Sequence, residues 1–235
     1  AAWTWVVALS CSISYALTYF WRYAIFVLPQ EMLEQKVVAS LDLQACFSLA
    51  FIIGFGAAKL PAASLASSSF FFRHRLRFLL GLLTVSMLIE GVGMLFTSAP
   101  AVQITAVFIS SFLSSWIYGL ELTYLEGRRA TELCLAVVTL CLVYAGNASR
   151  GCASLALSLG CPAQWMPLLV GAIAWVPAVG LLILTDRAPR PSAADVAARC
   201  ERGTMSRAQR LDFLCKYAGG LLPILSSYAL LVGIR

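Results

Sequence analysis

The residues that invite chemistry are charged side chains set inside long apolar runs. Arg22 closes the stretch Ser14-Tyr15-Ala16-Leu17-Thr18-Tyr19-Phe20-Trp21-Arg22, and Arg235 closes Ser227-Tyr228-Ala229-Leu230-Leu231-Val232-Gly233-Ile234-Arg235. Five of the nine positions are identical, the arginine among them. An arginine near the centre of a membrane helix costs about 2.5–3.5 kcal/mol on insertion scales, so it ordinarily faces a polar cavity. Two arginines in matching frames therefore predict two halves of one cavity, each contributing one charge. The planar guanidinium fork suits phosphate or carboxylate, which makes a small anionic solute the expected ligand. The competing reading of Arg22 is an ion pair with Glu90 or Glu121.

Three further charges belong to the same question. Lys59, after Gly54-Phe55-Gly56-Ala57-Ala58, either lines the cavity or snorkels to the interface. Glu90 lies 14 residues beyond Leu76, near mid-bilayer at about 1.5 Å per residue. A carboxylate at that depth is a candidate for proton coupling or for a helix-packing ion pair. Glu121 sits about one turn from the end of its apolar run, which favours an inter-helix gate or ion pair. Arg150 is expected at the outer interface, solvated or on a lipid headgroup. Trp3, Trp5, Trp116, Trp165 and Trp175 read as interface or packing residues.

These charges need helices to hold them. The chain is 60% hydrophobic and 12% charged over 235 residues, with a mean hydropathy of +0.85. Soluble domains carry about 25% charged residues. Runs near the ~20 residues a spanning helix requires recur, separated by short polar connections. The alternating ten-residue segments of a membrane β-barrel are absent. The expected spans are Ala2 to Leu28, Asp42 to Pro61, Leu76 to Thr97, Ala101 to Leu125, Glu132 to Leu157 and Trp165 to Leu184, with a seventh from Tyr217 to the terminus. Helical structure is also expected to continue past Pro29 through Gln35. The fold class is all-α, a polytopic transmembrane helix bundle.

The basic residues set the orientation. Arg73, His74, Arg75 and Arg77 fall between the second and third spans, and Arg128 and Arg129 between the fourth and fifth. Arg187, Arg190, Arg199, Arg202, Arg207, Arg210 and Lys216 follow the sixth. The opposite side keeps Lys36 and Arg150. Basic loops stay cytoplasmic, so the N-terminus and the linker after the sixth span are expected there, in a plasma (inner) membrane. The net charge of +6 is thus topological, and no nucleic-acid partner is expected; the partners are the lipid bilayer, the anion and protons as coupling ion. In the linker, Pro189 and Pro191 break the helix, and Ser192-Ala193-Ala194-Asp195 and Ser206 are capping signals for short surface helices.

Enzyme signals are missing. No Gly-rich phosphate loop, HExxH pair or His/Cys cluster of metal-ligand spacing occurs. His74 is the single histidine. No catalytic residue, metal or cofactor is expected. Of the eight cysteines, most fall in or beside apolar runs, where Cys packs as a small hydrophobe. Cys152 and Cys161 form the one candidate disulfide. The start at Ala1-Ala2-Trp3 and the stop at Arg235 within an apolar run suggest a piece of a longer chain.

On these residues the chain resembles the N-terminal half of a major facilitator superfamily protein, most nearly the organophosphate:phosphate antiporters. Tyr19-Phe20-Trp21-Arg22 with Phe26 and Pro29 is similar to that branch's first helix, whose arginine binds substrate phosphate. Gly54-Phe55-Gly56-Ala57-Ala58-Lys59-Leu60 resembles its second-helix stretch, with the lysine near the cavity. Glu126-Gly127-Arg128-Arg129 resembles its turn between helices four and five, and Arg235 falls where the branch has its second phosphate-binding arginine. The run Tyr124 to Glu132 also resembles an uncharacterised bacterial family of facilitator-like proteins. The resemblance implies a six-helix half of a facilitator-type fold over 1–185, a cytoplasmic basic linker over 186–216, and a partial seventh helix over 217–235. It implies a secondary transporter of a small organic anion or phosphate ester, with Arg22, Lys59 and Arg235 binding substrate and Glu90 and Glu121 coupling protons or forming ion pairs. Two departures stand against organophosphate exchange. The loop Pro61-Ala62-Ala63-Ser64-Leu65-Ala66-Ser67 lacks the superfamily's Asp-Arg pair, and the fifth span lacks the branch's histidine. The alternative is a facilitator-like membrane sensor or scaffold that does not transport.

Overall fold

The computed structural model describes residues 2–38, 40–59, 61, 69–125 and 131–189, with the isolated positions 208, 212, 215 and 216. The chain divides into two units, Ala1–Ala197 and Ala198–Arg235. In the second, Ala208, Asp212, Cys215 and Lys216 are helical and exposed. The seventh span from Tyr217, Arg235 and the capping signals at 192–195 and Ser206 lie outside the described residues. So does the Glu126-Gly127-Arg128-Arg129 turn.

The first unit is built from helices α1 (Ala2–Leu17), α2 (Tyr19–Ala24), α3 (Gln30–Leu33), α4 (Leu43–Ala57), α5 (Ser69–Arg73), α6 (Arg75–Gly93), α7 (Pro100–Leu125), α8 (Thr131–Ser158) and α9 (Met166–Arg187). Four of them, α6 to α9, are long and apolar enough to cross a membrane, and α4 is a shorter apolar helix. Large apolar side chains such as Ile53, Val143, Ile173 and Val176 are exposed on their outer faces. A helix that is apolar on its exposed as well as its packed face belongs in lipid.

The first span is not one straight helix. The Thr18 amide and hydroxyl both bond the Tyr15 carbonyl, at 3.0 and 2.7 Å, so the chain tightens there and α2 starts afresh. Ser10, Ser12 and Ser14 return their hydroxyls to α1 carbonyls in the same way, a habit that bends helices. A 3₁₀ turn, Ile25–Val27, ends the span before Pro29. Helical structure does not run on through Gln35. Leu28 and Pro29 are extended, and α3 is a separate turn. A small antiparallel hairpin follows, with strands β1 (Lys36–Val38) and β2 (Leu41–Asp42).

Local chemistry fixes the other boundaries. Asp42 caps α4, its carboxylate accepting from the Ala45 amide at 2.7 Å. In the second span α4 breaks at Ala58, with Lys59 and Pro61 helical beyond it, and the third span's helix ends at Gly93 rather than Thr97, giving way to a chain of turn bonds that reaches Pro100. Arg75 and Arg77 are in the first turn of α6, not in a loop. Pro100 opens α7, where its missing N–H costs nothing. Gly160, at φ +86°, closes α8: its amide bonds Leu157 and the next amide, Cys161, bonds Ala156, a glycine-terminated C-cap. Cys152 and Cys161 are free thiols and are not bridged to each other.

Helix α1 packs on α7, α8 and α9; α4 packs on α7; α6 packs on α7 and α9. Polar bonds cross these contacts: Ser10 to Thr185 at 2.7 Å, Trp175 to Thr84 at 3.0 Å and Ser149 to the Phe20 carbonyl at 3.1 Å. Where lipid and core are equally apolar, such bonds and close backbone contact hold helices together. Backbones approach closely at Gly54, where a Cβ would stand 2.5 Å from the Phe108 carbonyl oxygen.

The apolar core comes in two clusters. One holds Tyr15, Trp21, Met87, Ile117, Val138 and Ala178; the other holds Ala24, Met94, Val107, Ala153 and Val170. The changeover falls between Trp21 and Ala24, Met87 and Met94, Val107 and Ile117, Val138 and Ala153, and Val170 and Ala178, while α1 belongs to the first cluster and α4 to the second. Arg22, Glu90 and Ser110 occupy those gaps. A polar layer therefore divides the core.

Candidate functional site

Arg22 is 1% exposed. Its guanidinium carbon lies 5.0 Å from the centre of the Tyr19 ring, 4.7 Å from Phe51 and 5.4 Å from Phe55, and the Tyr15 phenol is beside it. Each desolvated cation–ring contact contributes about 0.5–2 kcal/mol, so three rings offset much of the ~2.5–3.5 kcal/mol cost of placing the charge there. They do not satisfy its N–H groups. Nε and Nη1 are buried without a hydrogen-bond partner, and a buried donor left so costs about 1–3 kcal/mol.

Arg22 forms no direct ion pair with either glutamate. Among the described residues the ion pair within 4.0 Å joins Arg75 to Asp186. Glu90, 1% exposed, acts on Arg22 through space and is near Ser110. Yet neither carboxylate oxygen, nor the Ser110 hydroxyl, completes a hydrogen bond. Glu121 is bound into the helix packing: its Oε1 accepts from Ser14 Oγ at 3.0 Å, and its carbonyl accepts from Cys11 Sγ at 3.4 Å.

Lys59 is exposed and stands over Phe55 at 4.3 Å and Tyr118 at 4.8 Å. Phe55 therefore takes Lys59 and Arg22 together, which brings these two predicted site residues to one ring. Phe51 and Phe55 stack at 6.4 Å. They are four residues apart on α4, the spacing that puts them on one face.

Several participants escape sequence reasoning. Ser110, Ser111, Ser114 and Ser115 are all buried in α7, and three of these hydroxyls have no partner. Their spacing on one face of an apolar helix is a readable signal. Arg150 stands well inside α8, eight residues before its end at Ser158, about 12 Å along the axis. It is half-buried, with its guanidinium 5.7 Å from Tyr23 and 5.9 Å from Phe26. At the helix ends Arg75 lies over the Tyr124 ring at 3.5 Å, and Tyr124 donates to Asp186 Oδ1 at 2.7 Å. That cluster joins α6, α7 and α9.

The fold and this layer define a polytopic helical membrane protein with a cationic, aromatic-lined site on α2, α4 and α7. The chain belongs to a family of unknown function (DUF5690), whose model matches residues 30–235. No curated protein and no solved structure matches it.

Proposed function

We propose that the chain is the N-terminal six-helix half of a facilitator-type secondary transporter, followed by its cytoplasmic linker and the start of the second half. A small anion, organic or a phosphate ester, binds Arg22 with Lys59 alongside; Arg235 is a further candidate ligand by its sequence context alone. The observation that carries this reading is Arg22 itself. It is a fully buried cation, held by rings rather than by a carboxylate, with two N–H groups unmatched. An oxyanion supplies the acceptors those groups need and favours the charged form. Glu90, in the same layer and without hydrogen bonds, is the proton-coupling group. Glu121, bonded to Ser14, ties α7 to α1 as a gate. No residue is assigned a catalytic role.

The basic clusters support a cytoplasmic N-terminus and linker in a plasma (inner) membrane. The packing of α1 among α7, α8 and α9, with α4 on α7 and α6 on α9, supports a compact half-bundle. The loop after the second span, without its Asp-Arg pair, favours the second reading, a membrane sensor or scaffold that binds without moving its ligand. Uptake of labelled phosphate esters and organic acids into proteoliposomes separates the two. Saturable uptake that depends on Arg22, with pH dependence removed by Glu90→Gln, is the expected result. Tight binding with no uptake under any gradient establishes the sensor, and neither binding nor uptake rejects both.

A further inference from the structure

Resting on the anion reading, the geometry points to a second anionic subsite at Arg150, so that the ligand carries two separated anionic groups rather than one. Arg22 and Arg150 come from different helices, α2 and α8, yet sit on one continuous aromatic surface. Arg22 lies over Tyr19 and Phe51, and Arg150 lies over Tyr23 and Phe26. Tyr23 joins the two sides: it stacks on Tyr19 at 4.9 Å, interplanar angle 14°, and meets Phe51 edge-on at 5.6 Å.

Each arginine also keeps a buried, unmatched N–H: Nε and Nη1 on Arg22, Nε on Arg150. Among the described residues no carboxylate lies within ion-pair distance of either. Two like charges on one low-dielectric surface disfavour each other. A single small anion at Arg22 relieves only one of them. A ligand with a head at each arginine relieves both and gives each fork its acceptors. The rings between suit a flat or apolar spacer, because an aromatic face stacks on them without needing a polar partner. The class is therefore a rigid or planar acid with two anionic ends, such as a phosphate and a carboxylate.

The test uses matched probes, phenyl phosphate and 4-carboxyphenyl phosphate, on the full-length protein in detergent, with affinity measured by titration calorimetry. Wild type should bind the two-headed probe more tightly. Arg150→Gln should erase that advantage, weakening 4-carboxyphenyl phosphate roughly tenfold or more, the effect of one charge-assisted bond. It should leave phenyl phosphate within about twofold. If Arg150→Gln does not fold, Arg150→Lys is held to the same comparison, since it keeps the charge and loses the fork. Equal affinity of wild type for both probes, or equal losses for both in the variant, overturns the second subsite and leaves the anion site at Arg22 standing. Binding of neither probe overturns both. A phospholipid headgroup offers Arg150 the same chemistry. Stabilisation by phosphatidylglycerol that 4-carboxyphenyl phosphate fails to displace assigns the subsite to lipid and rejects the solute.

Discussion

Removing the Ser14 hydroxyl tests the packing of the first span most sharply. Ser14 Oγ is 3.0 Å from Glu121 Oε1 and 2.9 Å from the Cys11 carbonyl, and a hydroxyl has one proton to give. Glu121 Oε2 is already without a partner. Ser14→Ala leaves both oxygens of a carboxylate that is 2% exposed without a donor. Stranding a buried acceptor costs about 1–3 kcal/mol, and with both oxygens left without a donor the loss falls in the upper part of that range. At about 2–4 °C per kcal/mol for a chain this size, the melting temperature should fall roughly 3–12 °C. Glu121→Gln should behave oppositely. Its amide can donate to Ser14 Oγ while Ser14 serves Cys11, and no charge is left buried, so stability should hold or rise. A double-mutant cycle of Ser14→Ala with Glu121→Leu, read by thermal unfolding in detergent, isolates the pair. Coupling above about 1 kcal/mol is expected. Additivity within about 0.5 kcal/mol, or a neutral Ser14→Ala, would refute the reasoning.

Two further substitutions probe the helix contacts. Gly54→Ala drives a methyl into the Phe108 carbonyl, a backbone atom that cannot swing aside, and should cost about 1–3 kcal/mol in thermal or urea stability; Gly56→Ala, with nothing within 4 Å, should be close to neutral. Tyr124→Phe removes the 2.7 Å bond to Asp186 and should destabilise by about 1–3 kcal/mol in thermal unfolding.

The spans were legible where composition alone decides. The third to sixth apolar runs become α6 to α9 with ends shifted by a few residues, because about 20 apolar residues leave a chain in lipid one way to satisfy its backbone. The interruptions were not legible. Thr18 reads like the serines before it, and only the structure shows its amide and hydroxyl sharing one carbonyl. The hairpin at Lys36–Asp42 is too short to carry a periodic signal. In the site, Arg22 stood out because a buried cation in an apolar run is costly. Its neighbours Phe51 and Phe55 did not, since aromatic residues are ordinary in such runs. The rings beside Arg150, Tyr23 and Phe26, were not legible either, since they come from a distant part of the chain. Likewise, Ser14 and Glu121 are 107 positions apart, a pairing that no spacing rule reaches.

The central claim is that the buried Arg22 fork holds an anion, and binding by the full-length protein tests it directly. Phenyl phosphate, inorganic phosphate and simple carboxylates are titrated against wild type, Arg22→Lys and Arg22→Gln, with circular dichroism confirming that each variant is folded. At least one anion should raise the wild-type melting temperature and bind measurably. Arg22→Lys should weaken it roughly tenfold despite the retained charge, because an ammonium cannot present two parallel N–H groups, and Arg22→Gln should abolish it. Unchanged affinity in both variants, or no stabilisation of wild type by any of these anions, would contradict the account.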